Sequence, residues 1–338
     1  MQYGIFDYVR REKRLTELGD QLERLNKVIP WEKFRPTLEN AVKRESRHPK
    51  GGRPAYDCIL MFKILILQAI YNLSDDQIEY QINDRISFMR FLELGLGDRI
   101  PDAKTIWLFR KNLTENKADE KLFADFNEYL EQENMFVKQG SIIDATFVEV
   151  PRQHNTPEEK EDIKNGKTPE EWEKPENAHK LSQKDMDARF AKKRDEYHFG
   201  YKNHILVDAG SKLIRRSAFT AANVPDSQPF PQLVENSEGC IWGDSAYSQK
   251  PCLEAIPENC TAYILERNTR GNKLTEAQRK ANREKSRIRV RVEHVFGHIV
   301  TAMNGFFQHC IGFAAVKMKI MLVNLAYNME RYEFLVRA

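Results

Sequence analysis

SIIDATFVEV, residues 141–150, is the stretch whose reading decides the fold. It is rich in β-branched residues and alternates in polarity, so it reads as a strand. It is also the first run of that kind in the chain. The 136 or so residues before it place apolar side chains at helical spacing, as in Ile59, Phe62, Leu65, Ile66 and Ala69. An acid, Asp144, sits in the middle of the strand between Ile143 and Ala145. A buried, unpaired carboxylate costs on the order of several kcal/mol. Asp144 is therefore expected to be paired, to lie at an open face, or to bind a cation.

Downstream, a polar stretch over about 151–196, rich in Lys, Glu, Asp and Asn, reads as an insertion or mobile loop. Two further strands follow, YHFGYKNHILVD (197–208) and KLIRRSAFTAA (212–222), joined across Ala209, Gly210 and Ser211 as a hairpin. The reading continues with a helix over about 226–236, a strand CIWGD (240–244), a helix SQKPCLEAI (248–256) and a strand TAYILE (261–266). A long basic helix from about Thr275 past His298 and an apolar C-terminal helix complete the chain. Three strands, then helix, strand, helix, strand, helix is the order of a ribonuclease H-like α/β domain with a mixed sheet. It is assigned residues 137–338, preceded by an all-α N-terminal domain over 1–136.

Upstream, breaks are expected at Pro30, Pro36, over 48–54 (HPKGGRP), over 95–97 and at Pro101. Ser74 can cap one short helix, with Asp75 and Asp76 complementing its dipole, and Asp102 can cap another. Helix, tight connection and helix is the pattern of a DNA-reading helix-turn-helix, and equally of an ordinary bundle. The greasiest run, 58–73, is shorter than the roughly 20 residues that span a bilayer and contains Lys63, so it reads as a buried helix of a soluble protein. No apolar leader precedes it. The five cysteines show no CxxC pair and fit reduced thiols in a cytoplasm.

Two more acids stand out. Asp244 ends the fourth strand, where ligand sites of open α/β sheets gather. Glu293 lies on the long helix, one residue off the apolar stripe of Ile288, Val292, Val295 and Ile299, at the edge that can reach the sheet. Hard cations such as Mg²⁺ take a few carboxylates plus substrate phosphate, and two such ions roughly 4 Å apart assist in-line displacement at phosphorus. Each acid also has a plain structural reading. Asp144 can pair with a lysine or arginine, Asp244 can cap the following helix, and Glu293 can pair with Arg289 one turn earlier.

With those residues in view, the chain resembles the transposases of the bacterial insertion-sequence 5 family along nearly its whole length. The resemblance is carried by the 53–94 segment RPAYDCILMFKILILQAIYNLSDDQIEYQINDRISFMRFLEL, by IPDAKTIWLFRKNL, by SIIDATFVEV, by YHFGYKNHILVD with KLIRRSAFTAANVPDSQ, by IWGDSAY and by RIRVRVEHVFG. It implies that Asp144, Asp244 and Glu293 are a metal-binding catalytic triad holding two Mg²⁺ ions, for which Mn²⁺ can substitute. It also implies that Arg289 belongs to a tyrosine-arginine-glutamate signature, in which Ser286 here replaces the tyrosine and Val300 a later lysine. The implied activity is cleavage at terminal inverted repeats of double-stranded DNA and strand transfer into target DNA, by a homodimer acting at the nucleoid. The residues by themselves also allow a nuclease or resolvase that never joins, or an inactive DNA-binding relative.

The formal net charge of +3 does not by itself announce a DNA binder. Its distribution is more telling, because residues 267–291 carry ten Lys or Arg against two Glu. Within that block Arg283, Lys285, Arg287, Arg289 and Arg291 are candidate phosphate contacts, or simply a solvated helix face. Lys202 and His204, on the strand beside Asp144, are candidates to reach phosphates near the scissile bond, or to hydrogen-bond within the sheet. His294 and His298 lack the glutamate that a zincin needs directly after the first histidine, since Glu293 precedes it.

Overall fold

The computed structural model describes residues 7–42, 54–268 and 273–337. The break expected over 48–54 lies outside the described residues apart from Pro54, as does Arg270 of the basic block. The chain divides into two units, one of residues 1–135 with 321–338 and one of residues 136–320.

The second unit is built on a six-stranded sheet: β1 (Gly140–Glu149), β2 (Arg189–Lys193), β3 (Glu196–Asp208), β4 (Ile214–Ala221), β5 (Gly239–Gly243) and β6 (Cys260–Ile264). β1 is central, antiparallel to β3 on one side and parallel to β5 on the other, with β6 parallel beyond β5. The far edge of β3 is shared, since β2 pairs with residues 196–200 and β4 with residues 201–207. Setting β2 aside, an antiparallel three-strand meander extended by two parallel crossover strands is the ribonuclease H-like arrangement, and the sheet is mixed as expected.

Local chemistry explains the joints. Asp208 closes the β3–β4 turn by accepting from the backbone N–H groups of Gly210 and Ser211 and from the Ser211 hydroxyl. Gly140 has φ +143°, and a Cβ there would lie 2.3 Å from the Cys240 carbonyl oxygen, so only glycine lets β1 begin this close to β5. One sheet face carries a core cluster of Ile143, Leu206, Phe230, Leu233, Val234, Ile241, Tyr247, Cys252 and Ile264. Because strand side chains alternate, Ile143 in that cluster sends Asp144 to the opposite face. There the helix Glu276–Thr301 buries Val292, Val295 and Ile299. Thr275 caps that helix, its hydroxyl accepting from the Gln278 N–H while Gln278 reaches back to the Thr275 N–H.

The 151–196 stretch is corrected from a mobile loop to a small ordered substructure. It holds the helices Pro157–Lys164, Glu170–Glu173 and Ala178–Gln183 and ends in β2. Trp172, only 1 % exposed, is its anchor and donates its indole N–H to Glu159 at 2.7 Å. Buried Asp185 fastens it to the unit by accepting from the Tyr201 hydroxyl at 2.7 Å and the Gly312 N–H at 3.0 Å. A polar composition hid these few apolar anchors. The helix expected over 226–236 is shorter, Phe230–Val234, because Pro225 and Pro229 hold the preceding residues in turns.

The first unit is helical. Trp31, Phe34, Phe62, Phe91 and Phe126 pack ring against ring at its centre. The helix Cys58–Tyr71 runs through this core, and its buried Lys63 is neutralised by Glu93 at 2.7 Å. The Ser74 cap forms, with Gln77 bonding back to the Ser74 N–H, and so does the Asp102 cap. The two helices so capped, Asp75–Asp84 and Ala103–Glu115, are not joined by a tight turn, because Ile86–Phe91 forms a further helix between them. The C-terminal helix Phe313–Arg337, read as part of the second domain, groups with this unit from Met321 onward. The reason is polar as well as apolar: Glu330 accepts from Gln21, Glu333 pairs with Arg24, and the Tyr129 and Tyr332 hydroxyls meet at 2.9 Å. Among the described residues no single helix is long and apolar enough to cross a membrane. Cys58–Tyr71 and Asp75–Asp84 pass together only as a pair bent by 102°.

Candidate active site

The three acids arrive from three elements of the second unit. β1 supplies Asp144, the end of β5 supplies Asp244, and the long helix Glu276–Thr301 supplies Glu293. The parallel register pairs Ser141 with Ile241 and Ile142 with Trp242. The ladder stops there, and Asp244 follows as the first residue beyond β5, near enough for its charge to raise the Asp144 carboxyl. Asp244 Oδ1 accepts from the Ala246 N–H at 2.8 Å and caps a short 3-10 turn, so both its structural reading and its nearness to Asp144 hold.

Arg289 binds the other two together. Its Nη1 donates to Asp144 Oδ2 at 2.7 Å and its Nη2 to Glu293 Oε1 at 2.9 Å. The second contact is the one-turn pair expected along the helix. The first explains how β1 tolerates its acid. Asp144 Oδ1 also accepts from the Ala145 N–H at 2.9 Å. Among the described residues, no three His, Cys, Asp or Glu side chains stand close enough to hold an ion as they are, which fits a guanidinium lying between two of the acids.

Burial pushes the Asp144 carboxyl up to about 6, and the negative charge of Asp244 adds to the rise. The Ala145 N–H, Arg289 and Lys193 pull the other way. Tyr247 lies in the same field, its phenol pushed well above the usual range by burial and by Asp144, Asp226 and Asp244. Lys193 and Asp226 were not singled out from sequence. Lys193 falls on β2, whose existence the polar composition concealed, and Asp226 sits in a connection where nothing in the local pattern marks it.

The candidate DNA contacts divide by geometry. Lys202 donates to the Val224 carbonyl at 2.8 Å and to Asp226 at 2.7 Å. His204 has a side chain with no exposed surface, its Nε2 bonded to the Thr220 hydroxyl at 2.8 Å. A ring so enclosed has no face to offer a phosphate in this structure. Burial, outweighing Asp226, holds it neutral by lowering its pKa to about 4. Lys285 donates to the Ile264 carbonyl at 2.8 Å and Arg291 to the Ala209 carbonyl at 2.6 Å, so both tie the helix to the sheet. Arg283 and Arg287 are exposed.

A carboxylate-only donor set matches a hard divalent cation rather than zinc or copper. The buried Nε–H of Arg289 finds no hydrogen-bond partner among the described residues, so the guanidinium is incompletely satisfied where it lies. The residues present fit a cation site from which Arg289 would have to withdraw.

Comparison with known proteins bears on the same residues. Residues 136–329 match the family model described as "Transposase DDE domain", and residues 9–112 match "Transposase domain (DUF772)". One solved chain, described as "Cryo-EM structure of piggyBac transposase synaptic complex with hairpin DNA", is similar over 94 % of this chain and 76 % of that one. Its sequence identity is 11 % and its TM-score 0.45, too faint a likeness to add to the strand order.

Proposed function

Because the chain belongs to the family of transposases with a DDE domain, we propose that it is an insertion-sequence transposase, of the insertion-sequence 5 kind, that cuts and joins DNA. The observation that supports this most is the bonded chain Asp144–Arg289–Glu293, with Asp244 near enough for its charge to act on Asp144. It links Asp144 and Glu293, far apart in sequence, beside the carboxyl end of β5, where Asp244 lies and where open α/β sheets bind ligands.

Asp144, Asp244 and Glu293 would hold two divalent cations, Mg²⁺ or in its place Mn²⁺. When bound, such ions neutralise charge on the attacking and leaving oxygens of an in-line displacement at phosphorus. The chain's own residues orient the DNA around that point. In the first step water attacks the phosphodiester at the transposon end, the bond to the 3′ oxygen breaks, and a 3′-OH is released. In the second step that 3′-OH attacks a target phosphodiester. One P–O bond forms as another breaks, so no high-energy cofactor is consumed. Asp144, raised to about 6, is a candidate proton carrier only while it is free of cation. The exposed Arg283 and Arg287 provide phosphate contacts, and the helical unit recognises terminal inverted repeats and pairs two protomers.

The test uses labelled end DNA with a target plasmid and Mg²⁺. Wild-type protein should yield free 3′ ends and then joined product. Asp144→Ala, Asp244→Ala and Glu293→Ala should each abolish cleavage while keeping end binding. Cut ends that are never joined would point to a nuclease or resolvase. Cleavage at wild-type rate by any variant removes that residue from the site.

A further inference from the structure

Arg289 is held as a counter-ion inside the acidic site. Its two Nη groups take one oxygen each from Asp144 and Glu293, and its side chain is 21 % exposed. Two carboxylates bridged by one cationic fork is what a cation site looks like when its charge is balanced from within. The balance is imperfect in two respects. The buried Nε–H goes without a partner among the described residues, and Asp244 contributes further negative charge that no ion pair among the described residues offsets. A buried donor left unpaired is a standing cost, so the closed pose is easier to leave than a fully satisfied one.

We propose that Arg289 is a placeholder for divalent cation in the DNA-free protein, so that ion entry and withdrawal of the guanidinium are a single coupled event. The proposal rests on the metal-site reading of Asp144, Asp244 and Glu293. An ion between Asp144 and Glu293 and a guanidinium bonded to both compete for the same oxygens. Once displaced, the fork is free for a phosphate, which it suits geometrically. DNA that captures Arg289 therefore removes the competitor and tightens cation binding. By linkage, cation tightens DNA binding to the same degree. The device keeps the site poorly loaded away from DNA.

The experiment is calorimetric titration of Mn²⁺ into the DNA-free chain, with thermal unfolding to verify that each variant folds. Arg289→Gln, which keeps bulk but not charge, should bind Mn²⁺ about tenfold tighter than wild type, the scale of a partly exposed two-pronged ion pair. Arg289→Lys, which keeps the charge but not the fork, should fall between them. End DNA should tighten Mn²⁺ binding in wild type and have little effect on it in Arg289→Gln. Unchanged or weaker Mn²⁺ affinity in a folded Arg289→Gln overturns the proposal. In the wild-type chain, Mg²⁺ titration followed through the arginine Nε–H resonances should shift the Arg289 signal, and a stationary signal counts equally against it. Asp144→Asn serves the separate question. If it binds Mn²⁺ as wild type does, the metal-site reading itself fails, and the placeholder falls with it.

Discussion

Asp244, the residue that follows β5, adds its negative charge to the burial that raises the Asp144 carboxyl on the neighbouring strand β1. The consequence is a pH-dependent stability in the metal-free protein. The Asp144 carboxyl titrates near 6 when folded, against 3.8 unfolded. Between those values the folded state holds a proton that the unfolded state has released, so stability falls as pH rises through the window. Asp144→Asn removes that penalty. In the presence of a chelator it should be more stable than wild type at pH 7.5, by up to about 3 kcal/mol, with the gain vanishing near pH 4. Urea unfolding at the two pH values measures this. A variant less stable than wild type at pH 7.5 would mean that the Arg289 bond outweighs the burial cost.

His204 slopes the other way. Its folded pKa lies near 4, below the ordinary 6.5, because burial disfavours the charged ring. The stability this provides is present above 6.5 and is lost as pH falls toward 4. His204→Gln should flatten that acid-side loss. It should leave the salt dependence of DNA affinity unchanged, because a neutral, enclosed ring releases no counterion from DNA. A shallower salt slope in His204→Gln would restore the ring as a phosphate contact.

The basic helix should divide into two classes. Arg283→Gln and Arg287→Gln remove exposed charge, and each should reduce the slope of log affinity against log salt by up to about 0.9 for duplex DNA. Lys285→Gln and Arg291→Gln break bonds to the Ile264 and Ala209 carbonyls, so their first effect should be a loss of about 1 kcal/mol in stability. Filter binding across a salt series, beside thermal melts, separates the two. Equal slopes for all four variants would contradict the division.

Much of this is legible in the amino-acid sequence. Alternation in SIIDATFVEV predicts β1, and Asp144 within it marks a candidate site, because a carboxylate in an apolar strand demands a reason. The Glu293 position followed from helical periodicity alone, and the Ser74 and Asp102 caps from residue type. Pairwise partners across the sheet were not legible. That Arg289 would reach Asp144, 145 residues away, depends on how helix and strand cross, which no local pattern encodes. For the same reason Lys202 and His204 were placed on the right strand but not in their enclosed surroundings. The 151–196 stretch misled because composition averages over the few side chains that do the packing. The capping pattern at Thr156 and a single tryptophan were the available signals.

That tryptophan supplies the last prediction. Trp172 is buried within a stretch of polar composition, its indole N–H bonded to Glu159 on the helix Pro157–Lys164. Truncating a buried tryptophan typically costs about 3–5 kcal/mol. The substructure has little other apolar surface to resist that loss, so Trp172→Ala should open it locally. Asp185, bonded to Tyr201 and Gly312, anchors its far end to β3 and should hold when the near end opens. Limited proteolysis should therefore cut Trp172→Ala between residues 157 and 183 much faster than wild type, while the melting temperature of the rest barely changes. β2 carries Lys193, whose charge reaches Asp144, so opening that spreads past Asp185 should also push the Asp144 carboxyl higher. Cleavage no faster than in wild type would return the stretch to an ordinary loop. A cooperative drop in melting temperature would instead make it part of the core.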